Sequence, residues 1–225
     1  MSGGGIFAVI GPVMVGPSSS HTAGAARLGW AARAILGTEP VEAVFYLHGS
    51  FAETGRGHGT DRALLAGVLG LSPDDPRLPE ARLLAAEAGL KYAFESRDLG
   101  EVHPNTARII LRGRDGQQVA VTGASVGGGE IVITAIDDLP VEFTLHYPTL
   151  LTLHQDQPGM VASVSAAIAA CSVNIAFMRV FRRERGGEAS MVVEMDEPVP
   201  ADAVAKIAAL PGMLRVRQVK AVGTC

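Results

Sequence analysis

The sequence predicts an α+β protein that folds into two domains, residues 1–147 and 148–225. The second part contains the order strand, helix, strand, strand, helix, strand in fewer than eighty residues, which is the ferredoxin-like arrangement. The first part mixes helical and strand-like patterns separated by Gly and Pro, without an internal repeat or a low-complexity linker. At 225 residues the chain is long enough to bury a hydrophobic core in each part.

The first domain is predicted to contain three helices and four strands. Apolar residues at helical spacing predict a helix from His21 to Leu36. Thr60 is the predicted N-cap of the second helix, and Gly89 is the predicted C-cap of the third. The predicted segments in chain order are "AGAARLGWAARAIL", "EAVFYLHGS", "GTDRALLAGVLGL", "LPEARLLAAEAG", "ARIILRG", "QQVAVTGAS" and "GEIVITAI".

The second domain shows a more regular pattern. Pro158 is predicted to open its first helix, since proline is tolerated in a first turn. Gly186 and Gly187 predict a turn between two strands, and Pro211 with Gly212 is predicted to end the second helix. The predicted segments in chain order are "TLLTLHQ", "PGMVASVSAAIAAC", "SVNIAFMRVFRRE", "EASMVVEM", "PADAVAKIAAL" and "MLRVRQVKAV".

Composition and charge argue against several classes of protein. The formal net charge is −4 and neither part is strongly basic, which argues against nucleic acid or anionic lipid as a partner. Apolar runs are interrupted before they reach the length of a membrane span. The N-terminal stretch "MSGGGIFAVIGPVMVG" lacks the features of a signal peptide, and Cys171 and Cys225 make no disulfide framework. We therefore expect a cytoplasmic protein.

The stretch "GPSSSHTAGAARLG", residues 16–29, places four small hydroxyl groups and one imidazole at the start of the first helix. The hydroxyl groups belong to Ser18, Ser19, Ser20 and Thr22. A helix N-terminus attracts a carboxylate or phosphate, and His21 can carry a proton near neutral pH. Helix capping needs only one hydroxyl, so the pattern favours a ligand site over capping alone. A serine nucleophile is less favoured, because the G-x-S-x-G sequence is absent.

Two further stretches carry polar groups that can bind a ligand. In "HGSFAETGRGHGTDRALLAG", Gly55, Gly57 and Gly59 are expected to take positive φ angles around His58; a flexible turn is the alternative. In "EVHPNTARI", an imidazole and an amide flank Pro104, although these residues also suit a simple turn. The residues concerned are His103 and Asn105. A fourth stretch, "ASVGGGEI", suits either an anion cradle or a glycine hairpin.

The residue types argue against most cofactors bound by this chain alone. None of the histidines at 21, 48, 58 and 103 has the spacing of a helical metal pair, so no metal site is predicted. An iron–sulfur cluster needs three or four cysteines, and the chain has two. None of its lysines lies in one of the four stretches, which argues against pyridoxal phosphate. The chain therefore suits a small anionic, amino-acid-like ligand but lacks an electrophile of its own.

The stretches "GPSSSHTAGAARLG", "GSFAETGRGHGTDRALLAGVLG", "HPNT" and "SVGGGEI" together resemble the β subunit of the bacterial iron–sulfur-dependent L-serine dehydratases. The resemblance covers about the first 145 residues, and residues 148–225 resemble an ACT domain. It implies that the first domain is similar in fold to the allosteric substrate-binding domain of some phosphoglycerate dehydrogenases. It also implies a separate, cysteine-rich α subunit that holds a [4Fe–4S] cluster, whose open iron acts as a Lewis acid.

The family reaction converts L-serine to pyruvate and ammonia, and the resemblance implies roles for residues of this chain. His21 and His58 are the acid/base candidates. The implied substrate-binding residues are Ser18, Ser19, Ser20, Thr22, His103 and Asn105. A heteromeric enzyme is implied, with self-association through the ACT or β domains. Two other hypotheses are a free-standing, non-catalytic serine sensor and a single-chain hydrolase that uses Ser19 or Ser20 with His21, the least favoured of the three.

The ACT resemblance also implies an effector site in the stretch "LHQDQPGMVA". His154 and Asp156 precede its helix, and Asn174 opens the following strand. Asp156 replaces the amide often found at this position in serine-sensing ACT domains, so it either binds an ammonium group or marks a site that no longer binds. A dimerisation domain without an effector is an equally weighted alternative. Cys225 is either a tail thiol that reaches a partner's cluster or a frayed end without a role.

Overall fold

The computed structural model describes residues 14–16 and 18–221. The N-terminal stretch considered as a signal peptide, Pro17 and the tail residue Cys225 lie outside the described residues. Contacts divide the chain into two compact units, one through Ile133 and one from Thr134. The boundary expected between residues 147 and 148 stays a prediction. Among the residues described, no helix has the length and apolar character needed to span a membrane.

The first helical stretch begins as a π-helical turn, Ser19–Gly24, which continues directly into the α-helix α1. The following elements alternate between sheet and helix and then form consecutive strands. They are α1 (Ala25–Leu36), β1 (Pro40–Leu47), α2 (Gly49–His58), α3 (Thr60–Leu69), a 3₁₀ turn (Leu78–Glu80), α4 (Ala81–Glu87), β2 (Lys91–Ser96), β3 (Thr106–Gly113), β4 (Gln118–Gly127), β5 (Glu130–Ile136) and β6 (Leu139–Phe143). The strand order is β2-β1-β3-β4-β5-β6, with β1 and β2 parallel and β1, β3 and β4 antiparallel.

Two glycines allow α1 and α3 to pack with their backbones in contact. A Cβ atom on Gly29 would lie 2.1 Å from the Leu64 carbonyl oxygen, and one on Gly67 would lie 2.0 Å from the Ala26 carbonyl oxygen. Only glycine fits at such an approach. Helix α1 packs against β3 and β4, and the fully buried Leu28 of α1 and Leu64 of α3 are part of the core.

Several predictions about the first unit were wrong. The glycine-rich stretch forms α2, a helix that passes through Gly55 and Gly57, rather than a loop with three positive φ angles. Only Gly59 takes a positive φ, of 73°, and it separates α2 from α3. The N-cap of α3 is therefore Gly59 and not Thr60, which is the first helical residue. The C-cap of α4 is Ala88 and not Gly89, which follows it with a φ of 66°. Strand β2 in this unit and strand β6 in the second unit were not predicted.

The fold of the whole chain is α+β, and besides β6 the second unit contains the six expected elements. They are β7 (Thr149–Gln155), α5 (Met160–Ala169), β8 (Ile175–Arg182), β9 (Glu188–Met195), α6 (Ala201–Ala208) and β10 (Met213–Val219). The strand order β10-β7-β9-β8 is that of a ferredoxin-like sheet. Side chains from both helices, such as Val164 and Ile207, pack on its apolar face. The prediction that Pro158 opens α5 was wrong, because Gly159 is the N-cap.

Candidate active site

The candidate site lies around the π-helical turn that precedes α1. π-Helical turns are uncommon and are found frequently at functional sites. Ser18 is the N-cap of this turn, and its Oγ accepts a hydrogen bond of 3.2 Å from the backbone N–H of His21. Ser19 and Ser20 lie half-buried on the turn, and Thr22 is buried. The turn therefore contains the hydroxyl groups and the imidazole of the first stretch.

The His21 ring is surrounded by hydroxyl groups from two parts of the chain. Its Nδ1 lies 3.4 Å from Ser18 Oγ. Its Nε2 lies 3.1 Å from Ser50 Oγ and 3.1 Å from Thr54 Oγ1, both on α2. Phe51, which is fully buried, contacts the ring edge-on at a centroid distance of 5.3 Å. Helix α2 thus completes one side of the histidine site.

The two acid/base candidates lie side by side although 37 positions separate them in the sequence. The rings of His21 and His58 are 5.1 Å apart between centroids at an interplanar angle of 73°. His58 is exposed at the end of α2, and its backbone carbonyl accepts a 3.5 Å hydrogen bond from Thr22 Oγ1. The structure therefore brings together the imidazoles of the two stretches that sequence reasoning treated separately.

Burial lowers the pKa of His21 below its usual value of 6.5, because the charged ring loses hydration. The neighbouring His58 lowers this pKa further by charge repulsion, whereas a hydrogen bond to the Ser50 backbone opposes the shift. A lowered pKa keeps the imidazole neutral near pH 7. The ring then has a free lone pair, which is the form that a general base requires.

The third stretch meets the end of β4 through Asn105. The Asn105 side-chain amide donates a 3.4 Å hydrogen bond to the Ser125 carbonyl, and its backbone N–H donates to His103 Nδ1 at 3.1 Å. Thr106 Oγ1 donates to the His103 carbonyl at 2.6 Å, so the histidine belongs to a hydrogen-bonded turn. His103 is exposed and Asn105 is half-buried. Their roles in substrate binding stay predictions.

The fourth stretch forms the glycine hairpin between β4 and β5. Gly127, Gly128 and Gly129 take φ angles of 111°, 60° and 82°, a run that residues with a Cβ rarely adopt. Arg27 Nη1 donates a 3.0 Å hydrogen bond to the Gly129 carbonyl and lies 3.4 Å from Glu130 Oε1. The hairpin is therefore tied to α1 by an arginine.

Sequence reasoning did not select three hydroxyl residues near the site. Ser50 and Thr54 contact His21. Their i,i+4 spacing places them on one face of a helix, a relation that the predicted glycine loop does not contain. Ser125 is fully buried, and its Oγ has no hydrogen-bond partner among the described residues. Ser125 packs against Gly24, so its hydroxyl lies beside the π-helical turn.

The described residues do not provide a site for a metal cluster. Within residues 14–16 and 18–221, no group of three or more His, Cys, Asp or Glu side chains could hold a metal ion. Cys171 lies in the second unit, where its Sγ is 3.5 Å from the Ala167 carbonyl. His48 Nδ1 accepts a 3.2 Å hydrogen bond from the Leu99 backbone. The donor set described here therefore does not fit an iron–sulfur cluster.

The three effector candidates in the second unit make separate contacts. His154 is 2% exposed, its Nδ1 lies 3.1 Å from Thr152 Oγ1, and burial lowers its pKa. Asp156 accepts hydrogen bonds from the Gly186 backbone at 3.0 Å and from Arg182 at 2.8 Å, and both lower its pKa.

The third candidate lies at a different edge of the second unit. The Asn174 amide donates a 2.9 Å hydrogen bond to Asp196, and Asn174 lines a groove between α5 and β8. The loop before α5 borders a separate cavity of about 180 Å³, which Gln157 and Leu210 help to line. Asn174 and the pair His154 and Asp156 therefore contribute to no common cavity among those described, and their role as an effector site stays a prediction.

Fold and site together define a two-domain α+β protein that has a histidine and hydroxyl site in the first domain and a ferredoxin-like module after it. The family model of the serine dehydratase beta chain matches residues 6–135, and the ACT domain model matches residues 149–212. The chain belongs to the serine dehydratase beta chain family and carries a C-terminal ACT domain. The family resemblance seen in the sequence is thereby confirmed.

Curated relatives agree with this assignment. The chain is 39% identical over 214 residues to the probable L-serine dehydratase, beta chain, of Bacillus subtilis, covering 95% of this chain and 97% of the relative. It is 40% identical over 194 residues to the L-serine dehydratase, beta chain, of Peptoniphilus asaccharolyticus, covering 86% and 87%. A D-3-phosphoglycerate dehydrogenase of Synechocystis is 30% identical over 141 residues, which is 62% of this chain and 25% of that protein.

Proposed function

We propose that this chain is the β subunit of an L-serine ammonia-lyase that converts L-serine to pyruvate and ammonia. The observation that carries the proposal is the His21 site, in which a neutral imidazole lies within 3.4 Å of three hydroxyl groups and beside a second imidazole. A small amino acid with a carboxylate and a hydroxyl group is the ligand that such a site suits. The family assignment supports L-serine as the substrate.

The reaction removes the α-proton and the β-hydroxyl group of serine, and the resulting aminoacrylate tautomerises to an imine that water hydrolyses to pyruvate and ammonia. In this proposal the base is His21, because its lowered pKa leaves the ring neutral. His58 is the second proton carrier and lies at the exposed end of α2. The hydroxyl groups of Ser18, Ser19, Ser20 and Thr22, with His103 and Asn105, are proposed to bind and orient the substrate.

We propose that a [4Fe–4S] cluster is held by a separate, cysteine-rich α subunit. Two observations support a partner: the described residues of this chain do not fit a cluster, and the similar proteins of Bacillus and Peptoniphilus are named beta chains. The test is an anaerobic assay of pyruvate formation from L-serine, with this chain, the α protein, and both. Activity is expected only with both chains. Pyruvate formed by this chain alone would refute the requirement for the partner.

A non-catalytic, serine-sensing module is the second candidate function. The observation that favours it is the Synechocystis relative, in which a quarter of a protein with another activity aligns with this chain. The same assay separates the two functions, because a sensor binds L-serine but yields no pyruvate with any partner. Binding without turnover in the complete, cluster-loaded complex would favour the sensor.

We propose that the ACT domain either regulates the enzyme by binding an amino acid or joins two copies of the chain. Isothermal titration of the full chain with L-serine, repeated with Asp156→Ala, distinguishes the two. Binding that is weakened in the variant belongs to the ACT domain, whereas binding that the variant retains in full, or no binding at millimolar concentration, favours the pairing role. The proposed location is the cytoplasm, which cell fractionation tests.

A further inference from the structure

The two hydroxyl groups of α2 that contact His21 have no assigned role in the reaction. We propose that Ser50 and Thr54 are positioning residues that hold the neutral His21 ring with its proton on Nε2, leaving Nδ1 as the atom that accepts a proton. The tautomer follows from the hydrogen bonds around His21 and is independent of the substrate. Only its effect on turnover rests on the proposed lyase activity.

The hydrogen atom of the Thr54 hydroxyl determines the direction of the bond at Nε2. Thr54 Oγ1 lies 2.8 Å from the Ser50 backbone carbonyl, which can only accept, so the hydroxyl donates its single hydrogen there. The Thr54 oxygen is then left with acceptor capacity alone. Its 3.1 Å contact with His21 Nε2 is a hydrogen bond only if Nε2 carries the proton.

The other ring nitrogen has a matching partner. Ser18 Oγ accepts the backbone N–H of His21 at 3.2 Å, which leaves the hydroxyl hydrogen of Ser18 free to donate. Nδ1 lies 3.4 Å from this oxygen and can accept that hydrogen when it is bare. The Ser18 hydroxyl can donate to a bare Nδ1, whereas the Thr54 oxygen can only accept at Nε2, so these contacts together favour the neutral tautomer with its proton on Nε2.

The same hydroxyl groups can also bind the protonated His21 ring. When Nδ1 gains a proton, the Ser18 hydroxyl rotates and accepts from it, while Nε2–H keeps its bond to α2. The ring need not turn when its charge changes, so its orientation is the same before and after proton transfer. Because the helix spacing of Ser50 and Thr54 places both on one face of α2, the orientation depends on α2 being a helix.

The test is nitrogen-15 NMR of the isolated full chain, which distinguishes protonated from bare ring nitrogens of His21. The wild-type ring should be protonated at Nε2. In the double variant Ser50→Ala/Thr54→Val the tautomer ratio should move toward Nδ1–H by about tenfold, the effect expected for the loss of one hydrogen bond to the ring. Thr54→Ser keeps the hydroxyl and is the matched control, which should retain the wild-type spectrum.

Four results bear on the inference. A wild-type ring protonated at Nδ1, or a double variant with the wild-type tautomer ratio, overturns it. In the reconstituted enzyme, the double variant should have a kcat about tenfold or more below the wild type, with little change in KM. Thr54→Ser should keep most of the wild-type kcat. If the tautomer is as expected but no enzyme preparation forms pyruvate, the proposed function fails while the positioning role stands.

Discussion

Replacing Gly24 by Ala tests whether the π-helical turn depends on close packing against β4. Gly24 has φ −62° and ψ −41°, so alanine can adopt its backbone conformation without strain. A Cβ atom there would lie 2.0 Å from Ser125 Oγ and 2.7 Å from Ser125 Cβ. Because Ser125 is fully buried in a strand, neither partner can move far.

Two opposing effects determine the size of the change. Alanine in a helix stabilises by about 0.5–1 kcal/mol relative to glycine. Overpacking of a closely packed interior costs about 1–3 kcal/mol, and the contacts here are well inside the normal separation of about 3.5 Å. The clash is therefore the larger effect, and we expect Gly24→Ala to lower the free energy of unfolding by about 1–2 kcal/mol. Gly57→Ala, with open space around its Cβ position, should instead stabilise α2.

The assay is urea unfolding followed by the fluorescence of Trp30, the only tryptophan, which lies on α1 and reports on the first unit. Ser125→Gly removes both clashing atoms and should cancel most of the cost of Gly24→Ala. Ser125→Ala leaves the 2.7 Å contact between Cβ atoms and should cancel less. If Gly24→Ala is as stable as the parent, or if the double-mutant cycle shows no coupling, the packing argument is refuted.

Three further predictions concern charged groups. His58→Gln removes the charge repulsion by which His58 lowers the pKa of His21. The acid limb of the kcat/KM profile should therefore lie below pH 6.5 in the wild type and at a higher pH in the variant. An acid limb at the same pH in both enzymes would contradict this. Arg82→Ala removes the ion pair with the buried Asp61, in which Arg82 Nη2 lies 2.5 Å from Asp61 Oδ2. The free energy of unfolding in urea should fall by about 1–3 kcal/mol. An unchanged free energy would contradict this and show that water replaces the arginine. Burial lowers the pKa of His154 below 6.5, so the unfolded chain binds more protons than the folded chain as the pH falls through this value. The free energy of unfolding should therefore decrease below pH 6.5. His154→Asn should weaken this dependence of stability on pH.

The second unit could be predicted almost completely from the sequence. Its strands alternate, its helices are amphipathic, and turn residues such as Gly186 and Gly212 separate them. Local pattern and tertiary structure agree there. The start of α5 differs by two residues because Gly159, with a φ of 91°, caps the helix that Pro158 was expected to open.

In the first unit, tertiary packing overrides local preference. Glycine has a low helix propensity, so the stretch around Gly57 indicated a loop, yet α2 forms with Phe51 buried in the core. Strand β2 lies at the sheet edge, and its side chains are mostly exposed, so it lacks the alternating apolar pattern. These elements depend on neighbours that are distant in the sequence.

In the candidate site, too, some features follow from local sequence and others depend on tertiary packing. His21 and His58 were selected from separate stretches by residue type, and the structure places their rings 5.1 Å apart. Ser50 and Thr54 could be found only once α2 was known to be a helix. The buried Ser125 hydroxyl has no local signal, because its position beside Gly24 depends on how β4 meets the π-helical turn.

The central claim is that His21 of this chain is the base in a lyase site completed by another subunit. The most direct measurement is kcat for pyruvate formation by the reconstituted, cluster-loaded enzyme with wild-type chain and with His21→Ala, after circular dichroism has shown that both chains are folded. We expect a loss of about 10²–10⁴-fold, the usual contribution of a general acid or base. Near-normal turnover by the variant would contradict it.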